Sequence, residues 1–233
     1  MVEIKPGITE SGYFSNLANG VAEWNSAFRE KTFDFLKDKN IKTAADVGAN
    51  FGVFTDKCLS TLPDLQSIDS FEPDDTNFTI LEHNLNNMSN GRSTIKFHHC
   101  GIFYGAEEGR VLGIGDNSPG GYMFAPVDTV HHGQWTGGLS LYDGKIFKMT
   151  TLEKVFTMPL DLLKIDVEGS EYNIIENSTI LKECRYLIIE FHNHLGEYVQ
   201  EFIAKHLPNF RASEFTNDTY GSPYYWYAFL EKI

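Results

Sequence analysis

One segment of the chain, LDLLKIDVEGSEYNIIE at residues 160–176, constrains the fold more than any other. Its first half has the apolar character of a strand buried on both faces, which is typical of parallel sheets covered by helices. Lys164, Asp166 and Glu168 interrupt that character at alternate positions, and side chains two apart on a strand share a face. Buried charge is costly unless it is paired or used, and ligands of open α/β sheets bind at the carboxyl ends of the strands. The segment therefore predicts a charged site at one sheet edge, followed by a helix.

The rest of the chain alternates between predicted strands and helices. Apolar runs predict strands at residues 43–47, 67–71, 93–99 and 185–191, and helical spacing predicts helices at 18–39, 76–88 and 196–207. A further helix carries Phe54, Cys58 and Leu62 on one face and ends before Pro63. The segments FRASEF and YYWYAFLEKI predict a terminal antiparallel pair. This rhythm predicts an α/β fold with a doubly wound parallel sheet.

Two regions depart from this rhythm. Residues 1–40 form a predicted N-terminal helical segment, and residues 105–150 form a Gly-rich insertion with NSPGG and TGG turns. The insertion predicts irregular hairpins and loops, and long loops in compact domains often bind substrates. Because there is no internal repeat and no low-complexity linker, we expect residues 1–233 to form a single domain.

Charge and composition narrow the class of partner. The chain has 32 acidic and 19 basic residues and a formal net charge of −13, which disfavours nucleic acid because its binding depends on Lys and Arg. The sequence has no apolar run near the ~20 residues needed to span a bilayer, and its start does not resemble a signal peptide. The three cysteines match neither a disulfide framework nor a metal motif. We therefore expect a cytoplasmic protein.

A glycine turn follows the first predicted strand. The sequence DVGANFG places small residues where the chain enters a helix, so a ligand can approach the backbone and the helix amino terminus. This is the logic of the dinucleotide-binding fingerprint, although the spacing is GxNxG and not GxGxxG. Glu72 ends the next predicted strand, where an acidic side chain can accept hydrogen bonds from ribose hydroxyls. Together these features predict a nucleoside cofactor.

Four segments in this order, DVGANFGVFT, FEPDDTNFTILEHNLNN, LLKIDVEGSEYNIIE and YLIIEFH, resemble the FkbM family of S-adenosylmethionine-dependent methyltransferases. The resemblance covers residues 43–194. It implies a class I methyltransferase fold, which is a Rossmann-like sheet of seven strands in the order 3-2-1-4-5-7-6 with the last strand antiparallel. It also implies S-adenosylmethionine as cofactor and O-methylation of a hydroxyl on a sugar, glycan or other small molecule.

The resemblance also assigns residues to the cofactor. It implies that the methionine part is lined by Asp46, Gly48, Asn50 and Phe51, and that Glu72 holds the ribose. Pro73 and Asp74 are expected to border the adenine, and Cys100 and Gly101 occupy the usual place of a further adenine contact. We expect Asp166 to lie closest to the transferred methyl group.

The predicted strand order places Lys164, Asp166 and Glu168 between Asp46 on one side and Glu190 and His192 on the other. An alcohol hydroxyl is a weak acid, so its methylation needs a positioned base or a metal ion. Three alternatives follow: Glu190 or His192 as the base, a Mg²⁺ ion on Asp166, Glu168 and Glu190, or positioning alone. Lys164 either holds the carboxylates in place or acts nearer the substrate.

Three other functions fit parts of the pattern. A NAD-dependent oxidoreductase has the same type of sheet, but the glycine spacing and the charged strand disfavour it. A nucleoside-cofactor-binding module without catalysis would tolerate replacement of the acidic residues. A protein or RNA methyltransferase is the third, and the net charge disfavours the RNA acceptor. Neither the oligomeric state nor the acceptor follows from the sequence.

Overall fold

The computed structural model describes residues 32, 34–88, 93–114, 122–126, 139–192, 195–217 and 225–233. The strands are β1 (Thr43–Val47), β2 (Ser67–Phe71), β3 (Thr94–His98), β4 (Gly101–Ile102), β5 (Glu108–Ile114), β6 (Tyr122–Pro126), β7 (Leu139–Thr150), β8 (Leu162–Ile165), β9 (Tyr186–His192), β10 (Phe210–Asn217) and β11 (Tyr225–Lys232). The helices are α1 (Val53–Thr61), α2 (Asp75–Met88), α3 (Leu152–Val155), α4 (Glu171–Asn177), α5 (Thr179–Glu183) and α6 (Gly196–His206).

The main sheet has seven strands in the order β3-β2-β1-β8-β9-β11-β10. The five strands from β3 to β9 run parallel, whereas β11 is antiparallel to both β9 and β10. Counted along the chain within this sheet, the order is 3-2-1-4-5-7-6 with the last strand antiparallel. The predicted class I methyltransferase fold is therefore confirmed.

The two faces of this sheet are covered by separate apolar clusters, which is why its central strands read as continuous apolar runs. Neighbouring residues on a strand contribute to opposite clusters: Ala44 and Leu162 belong to one, Ala45 and Leu163 to the other. The first cluster includes Phe54 and Leu81 from α1 and α2, and the second includes Ile174 and Val199 from α4 and α6. The sheet is thus wound on both faces by helices.

A second sheet arises from the predicted Gly-rich insertion. Its order is β4-β7-β5-β6, with β5 antiparallel to both β6 and β7 and β4 parallel to β7. The predicted hairpins are present in residues 105–150, but β7 spans 12 residues and is more regular than the glycine content indicates. Residues 34–36 are helical, within the helix predicted for 18–39. Most of that helix, and residues 115–121 and 127–138 of the insertion, lie outside the described residues.

The prediction that Lys164, Asp166 and Glu168 alternate on one strand is wrong for Glu168. Strand β8 ends at Ile165, and Glu168 and Gly169 adopt positive φ angles of 54° and 109° in the turn that leads into α4. The turn therefore sets the direction of Glu168. Asp166 still lies on the same side as Lys164, because its amide donates to the Val47 carbonyl oxygen at 3.0 Å and its Oδ2 lies 3.3 Å from Lys164 Nζ. Within the described residues, no helix has the length and apolar character that crossing a membrane requires.

Candidate active site

A cavity opens at the carboxyl ends of β1, β2 and β8, where ligands of open α/β sheets bind. Its floor is the glycine turn after β1, and one wall comes from β4 and β7 of the second sheet. The lining includes these predicted site residues: Gly48, Asn50, Glu72, Pro73, Asp74, Gly101, Lys164, Asp166 and Glu168. Asp46, Phe51, Cys100, Glu190 and His192 are not among the lining residues.

Gly48 is the residue that brings the turn close to β8. Its φ of +80° lies in the left-handed region, and its amide and that of Ala49 both donate to the Phe71 carbonyl oxygen, at 3.0 and 2.9 Å. A Cβ atom on Gly48 would lie 1.8 Å from the Asp166 carbonyl oxygen. Only glycine allows this approach, which holds the turn against the strand that carries the charged residues.

Replacing Gly48 with alanine is expected to lower the free energy of unfolding by about 3 kcal/mol, because strain at positive φ adds to a clash with backbone. Urea-induced unfolding measures this change. Gly105→Ala is the matched control, since Gly105 has a φ of +101° but no atom within 4 Å of the added Cβ. Equal losses in the two variants would show that the contact with Asp166 does not limit the turn.

Glu72 ties the glycine turn to the end of β2. It is 6% exposed, and its two carboxylate oxygens accept hydrogen bonds from the amides of Asn50 and Asp74, each at 2.9 Å. Burial raises the pKa of Glu72 to about 7, although both backbone donors favour its ionised form. Glu72 is thus a cavity-lining carboxylate that exchanges its proton near neutral pH.

Asn50 lines the cavity and carries an acceptor that no described residue uses. Its side-chain oxygen Oδ1 is buried and has no hydrogen-bond partner among the described residues. Such an atom usually has a partner, so it is ready to bind a ligand donor. Phe51 is instead buried, and its carbonyl oxygen accepts from the Asn84 amide at 2.9 Å. In this turn, Asn50 therefore offers a polar group to a ligand, whereas the side chain of Phe51 packs in the core.

Lys164 is the central cation of the site. Its Nζ lies 3.2 Å from Asp46 Oδ1 and 3.3 Å from Asp166 Oδ2, and it donates to the Gly48 carbonyl oxygen at 2.7 Å. Burial lowers the pKa of Lys164, but the carboxylates of Asp166 and Asp46 raise it by more, so the net shift is upward. Asp46 is fully buried and its Oδ2 accepts from the Thr55 hydroxyl at 2.8 Å. Lys164 therefore joins the glycine turn to β8.

His192 is the centre of a second charged group, beside the first. Its Nδ1 lies 2.8 Å from Glu171 Oε1, and its Nε2 lies 3.4 Å from Glu168 Oε2 and 3.5 Å from Glu190 Oε1. Glu171 Oε1 also accepts from the amides of Val167 and Gly169, at 3.1 and 3.0 Å. Both His192 and Glu171 are buried. The His192 side chain, at the end of β9, thus contacts both the turn after β8 and the start of α4.

Burial and charge shift the pKa values of this group. Burial lowers the pKa of His192, but the carboxylates of Glu168 and Glu171 raise it more, and the net shift is well above the usual value. Burial and the nearby Asp166 raise the pKa of the Glu190 carboxyl well above its usual range. Proton exchange in this group therefore differs from that of the isolated side chains.

The predicted carboxylate set for a metal ion, Asp166, Glu168 and Glu190, is not the set that the structure brings together. The ligand atoms of Asp166, Glu168 and His192 all lie within 4.8 Å of one another. Glu190 differs because its Oε1 accepts from the hydroxyl of Tyr227, at 2.8 Å, on the neighbouring strand β11. The imidazole takes the place that the sequence assigned to a third carboxylate.

Sequence reasoning missed Glu171 and Tyr227. Glu171 opens α4 three residues after Glu168, and its carboxylate binds backbone amides in the turn before the helix. A Glu just inside a helix start is a familiar sequence signal for such a bond. Tyr227 lies in an aromatic run, and only the pairing of β11 with β9 shows that it lies opposite Glu190. A signal was therefore available for the first residue and not for the second.

Comparison with known proteins decides the family. The family model of the methyltransferase FkbM domain matches residues 46–215, which is most of the chain. The chain belongs to the FkbM methyltransferase family. This FkbM protein is a methyltransferase that uses S-adenosylmethionine, as the sequence predicted. No curated protein matches the sequence.

Solved structures share the fold of this FkbM protein at low sequence identity. An rRNA methylase from Streptococcus thermophilus is 12% identical with a TM-score of 0.50, covering 88% of this chain and 96% of that chain. M. capricolum TrmK, solved with S-adenosyl-homocysteine, is 13% identical with a TM-score of 0.50, covering 88% and 68%. At such identities the likeness concerns the fold alone.

Proposed function

We propose that this FkbM methyltransferase methylates a hydroxyl oxygen of a sugar, glycan or other small molecule. The observation that supports this proposal is that Asp166 and Glu168 belong to both parts of the site. They line the cavity at the glycine turn, and they also face the group around His192. A donor in the cavity and an acceptor hydroxyl beside the acidic group would therefore meet at these two side chains.

The reaction sets two tasks for the chain. S-adenosylmethionine supplies an activated methyl group, so an O–CH₃ bond forms as the S–CH₃ bond breaks and its electron pair passes to sulfur. The residues must align the acceptor oxygen with that methyl group and take the hydroxyl proton. Asp166 aligns the acceptor, and Glu190, beside the His192 imidazole, takes the proton. Lys164 holds Asp166 in place.

The cavity suits the cofactor. Asn50 offers its unused acceptor to the amino group of the methionine part, and Gly48 lets that part approach the backbone. Glu72 accepts from the ribose, and Pro73, Asp74 and Gly101 border the adenine. For Asp46, Phe51 and Cys100, which do not line the cavity, the cofactor roles implied by the family stay predictions. Asp46 acts through Lys164, with which it is paired.

Replacing Glu72 with alanine is expected to weaken S-adenosylmethionine binding by about 1–3 kcal/mol, through loss of charge-assisted hydrogen bonds. In the parent protein, affinity should rise with pH through about 7, because the ionised carboxylate is the better acceptor. Calorimetry between pH 6 and 8 measures both effects. Glu72→Gln should have weakened affinity with no such rise. Parent-like affinity in the alanine variant would remove Glu72 from the cofactor site.

The acceptor surface is acidic, which disfavours RNA. Asp166, Glu168 and Glu190 face the place of the acceptor, and the chain has a net charge of −13. RNA binding requires cations that neutralise phosphates. The second sheet adds specificity, since Ile102 and Met149 from β4 and β7 line the cavity. We propose that this sheet and the N-terminal segment at 1–40 select the acceptor within one domain.

Incubation with S-adenosylmethionine carrying a labelled methyl group tests the function. Panels of monosaccharides, oligosaccharides and small alcohols serve as acceptors, with tRNA and a basic protein as competing classes. We expect label in a hydroxyl-bearing small molecule, as an alkali-stable methyl ether. Label in RNA or protein alone would overturn the proposal, and tight NAD binding without S-adenosylmethionine binding would contradict the cofactor.

A further inference from the structure

We propose that Asp166, Glu168 and His192 bind one divalent cation at the acceptor side of the cofactor cavity. Cation binding itself does not depend on the acceptor. Its use in deprotonating a hydroxyl rests on the proposed function.

The geometry of the three side chains fits a single ion. Their ligand atoms lie within 4.8 Å of one another, and His192 Nε2 is 3.4 Å from Glu168 Oε2. Ligands about 2.1 Å from an ion lie about 3 Å apart when adjacent and about 4.2 Å apart when opposite. The most widely separated ligand atoms must therefore move closer together when the ion binds. The side chains of Asp166 and Glu168 are 26% and 31% exposed, so the ion keeps open positions for water or a hydroxyl.

An independent observation is the way in which Glu171 holds His192. Metal-binding histidines almost always donate their other ring nitrogen to a carboxylate or carbonyl, which fixes the tautomer. Glu171 Oε1 lies 2.8 Å from Nδ1 and is itself fixed by two backbone amides, so Nε2 faces Glu168 and Glu190, where an ion would replace its proton. Glu171 is fully buried, and its Oε2 has no hydrogen-bond partner among the described residues. This carboxylate therefore has the position of a supporting group, not of a ligand.

Charge also favours a cation here. Among the described residues that meet at His192, the carboxylates of Glu168, Glu171 and Glu190 surround a single imidazole. Lys164 does not relieve this excess, because its Nζ is engaged by Asp46, Asp166 and the Gly48 carbonyl. Buried carboxylates need a matching positive charge. These carboxylates attract positive charge, and a divalent ion at Nε2 would take the place of the imidazole proton.

The donor set selects the class of ion. Two carboxylates and one imidazole suit Mn²⁺ or Zn²⁺ better than Mg²⁺ or Ca²⁺, which prefer oxygen ligands alone. The ion would lower the pKa of a hydroxyl placed on an open position. Glu190 lies 3.5 Å from His192 Nε2 and outside the ligand set, where it can receive the released proton.

Titration of the chelator-treated protein with Mn²⁺, followed by electron paramagnetic resonance without cofactor or acceptor, tests the site. We expect one tight site per chain, with affinity at least tenfold weaker in Glu168→Gln. Glu171→Gln should weaken it about 10- to 100-fold, as outer-shell changes do. Asp75→Asn is the matched control, because Asp75 pairs with exposed His99 at 3.2 Å and is not one of the three proposed ligands.

The outcomes separate this inference from the proposed function. If Glu190→Gln retains Mn²⁺ binding, the result supports a ligand set that contains His192. If Glu190→Gln loses Mn²⁺ binding, the result favours the set of three carboxylates and overturns the inference. Absence of a site in the parent, or an equal affinity in Glu168→Gln, also overturns the inference. Hydroxyl methylation that proceeds at full rate in chelator would overturn the catalytic use of the ion while supporting the proposed function.

Discussion

Replacing Lys164 with methionine is expected to lower the free energy of unfolding by about 3–5 kcal/mol. Lys164 is 3% exposed and pairs with Asp46, which is fully buried, and with Asp166. Removing one partner of a buried ion pair leaves the other charge without compensation, and that desolvation cost is large. Methionine keeps most of the volume of the stem, so the loss reports charge and not a cavity. Urea-induced unfolding at pH 7 measures it.

Two further variants define the origin of that loss. Lys154→Met removes an ion pair of similar length, 2.9 Å to Glu107, but both side chains are more than half exposed, so a much smaller loss than in Lys164→Met is expected. Adding Asp46→Asn to Lys164→Met should recover part of the stability, because the stranded charge is gone. If the double variant is as unstable as the sum of the single ones, the pair is not the reason for the loss.

The strands of the main sheet could be predicted from local patterns, but their order could not. Strands β1 and β2 begin and end at the predicted residues, because parallel strands buried on both faces have continuous apolar runs. Strand order followed from the resemblance, since periodicity alone does not determine which strands pair. The length of β7 was missed because the glycine turns in residues 105–150 hid the strand between them. Where apolar pattern and turn residues agree, the sequence is a reliable guide.

The candidate site was predicted in its composition and only partly in its geometry. The proximity of Lys164 to Asp46 followed from the strand order that the resemblance implies, and the structure places these residues opposite each other on β8 and β1. The direction of Glu168 did not follow, because its positive φ belongs to a turn that strand alternation does not describe. The partners of His192 depend on how the end of β9 meets that turn. Such contacts between distant segments have no local sequence signal.

Replacing Glu190 with glutamine is expected to lower kcat by about 100- to 10,000-fold while S-adenosylmethionine binding stays at the parent value. The expected loss is that of removing a general base. Cofactor affinity should not change, because Glu190 is not among the residues that line the cavity. Labelled methyl transfer to the acceptor that the panel identifies measures turnover, and calorimetry measures cofactor affinity. Glu183→Gln is the control, since Glu183 is an exposed carboxylate paired with Lys232 at 2.6 Å.

The Glu190→Gln variant is expected to fold, so its activity can be interpreted. Glutamine keeps an oxygen that accepts from the Tyr227 hydroxyl, and it removes the cost of burying a carboxylate beside Asp166. Its free energy of unfolding should therefore equal or exceed that of the parent. Glu190→Asp, which keeps the acid on a shorter stem, should recover part of the turnover. Parent-like kcat in the glutamine variant would show that Glu190 is not the base, which leaves His192 as the proton acceptor or positioning by Asp166 alone.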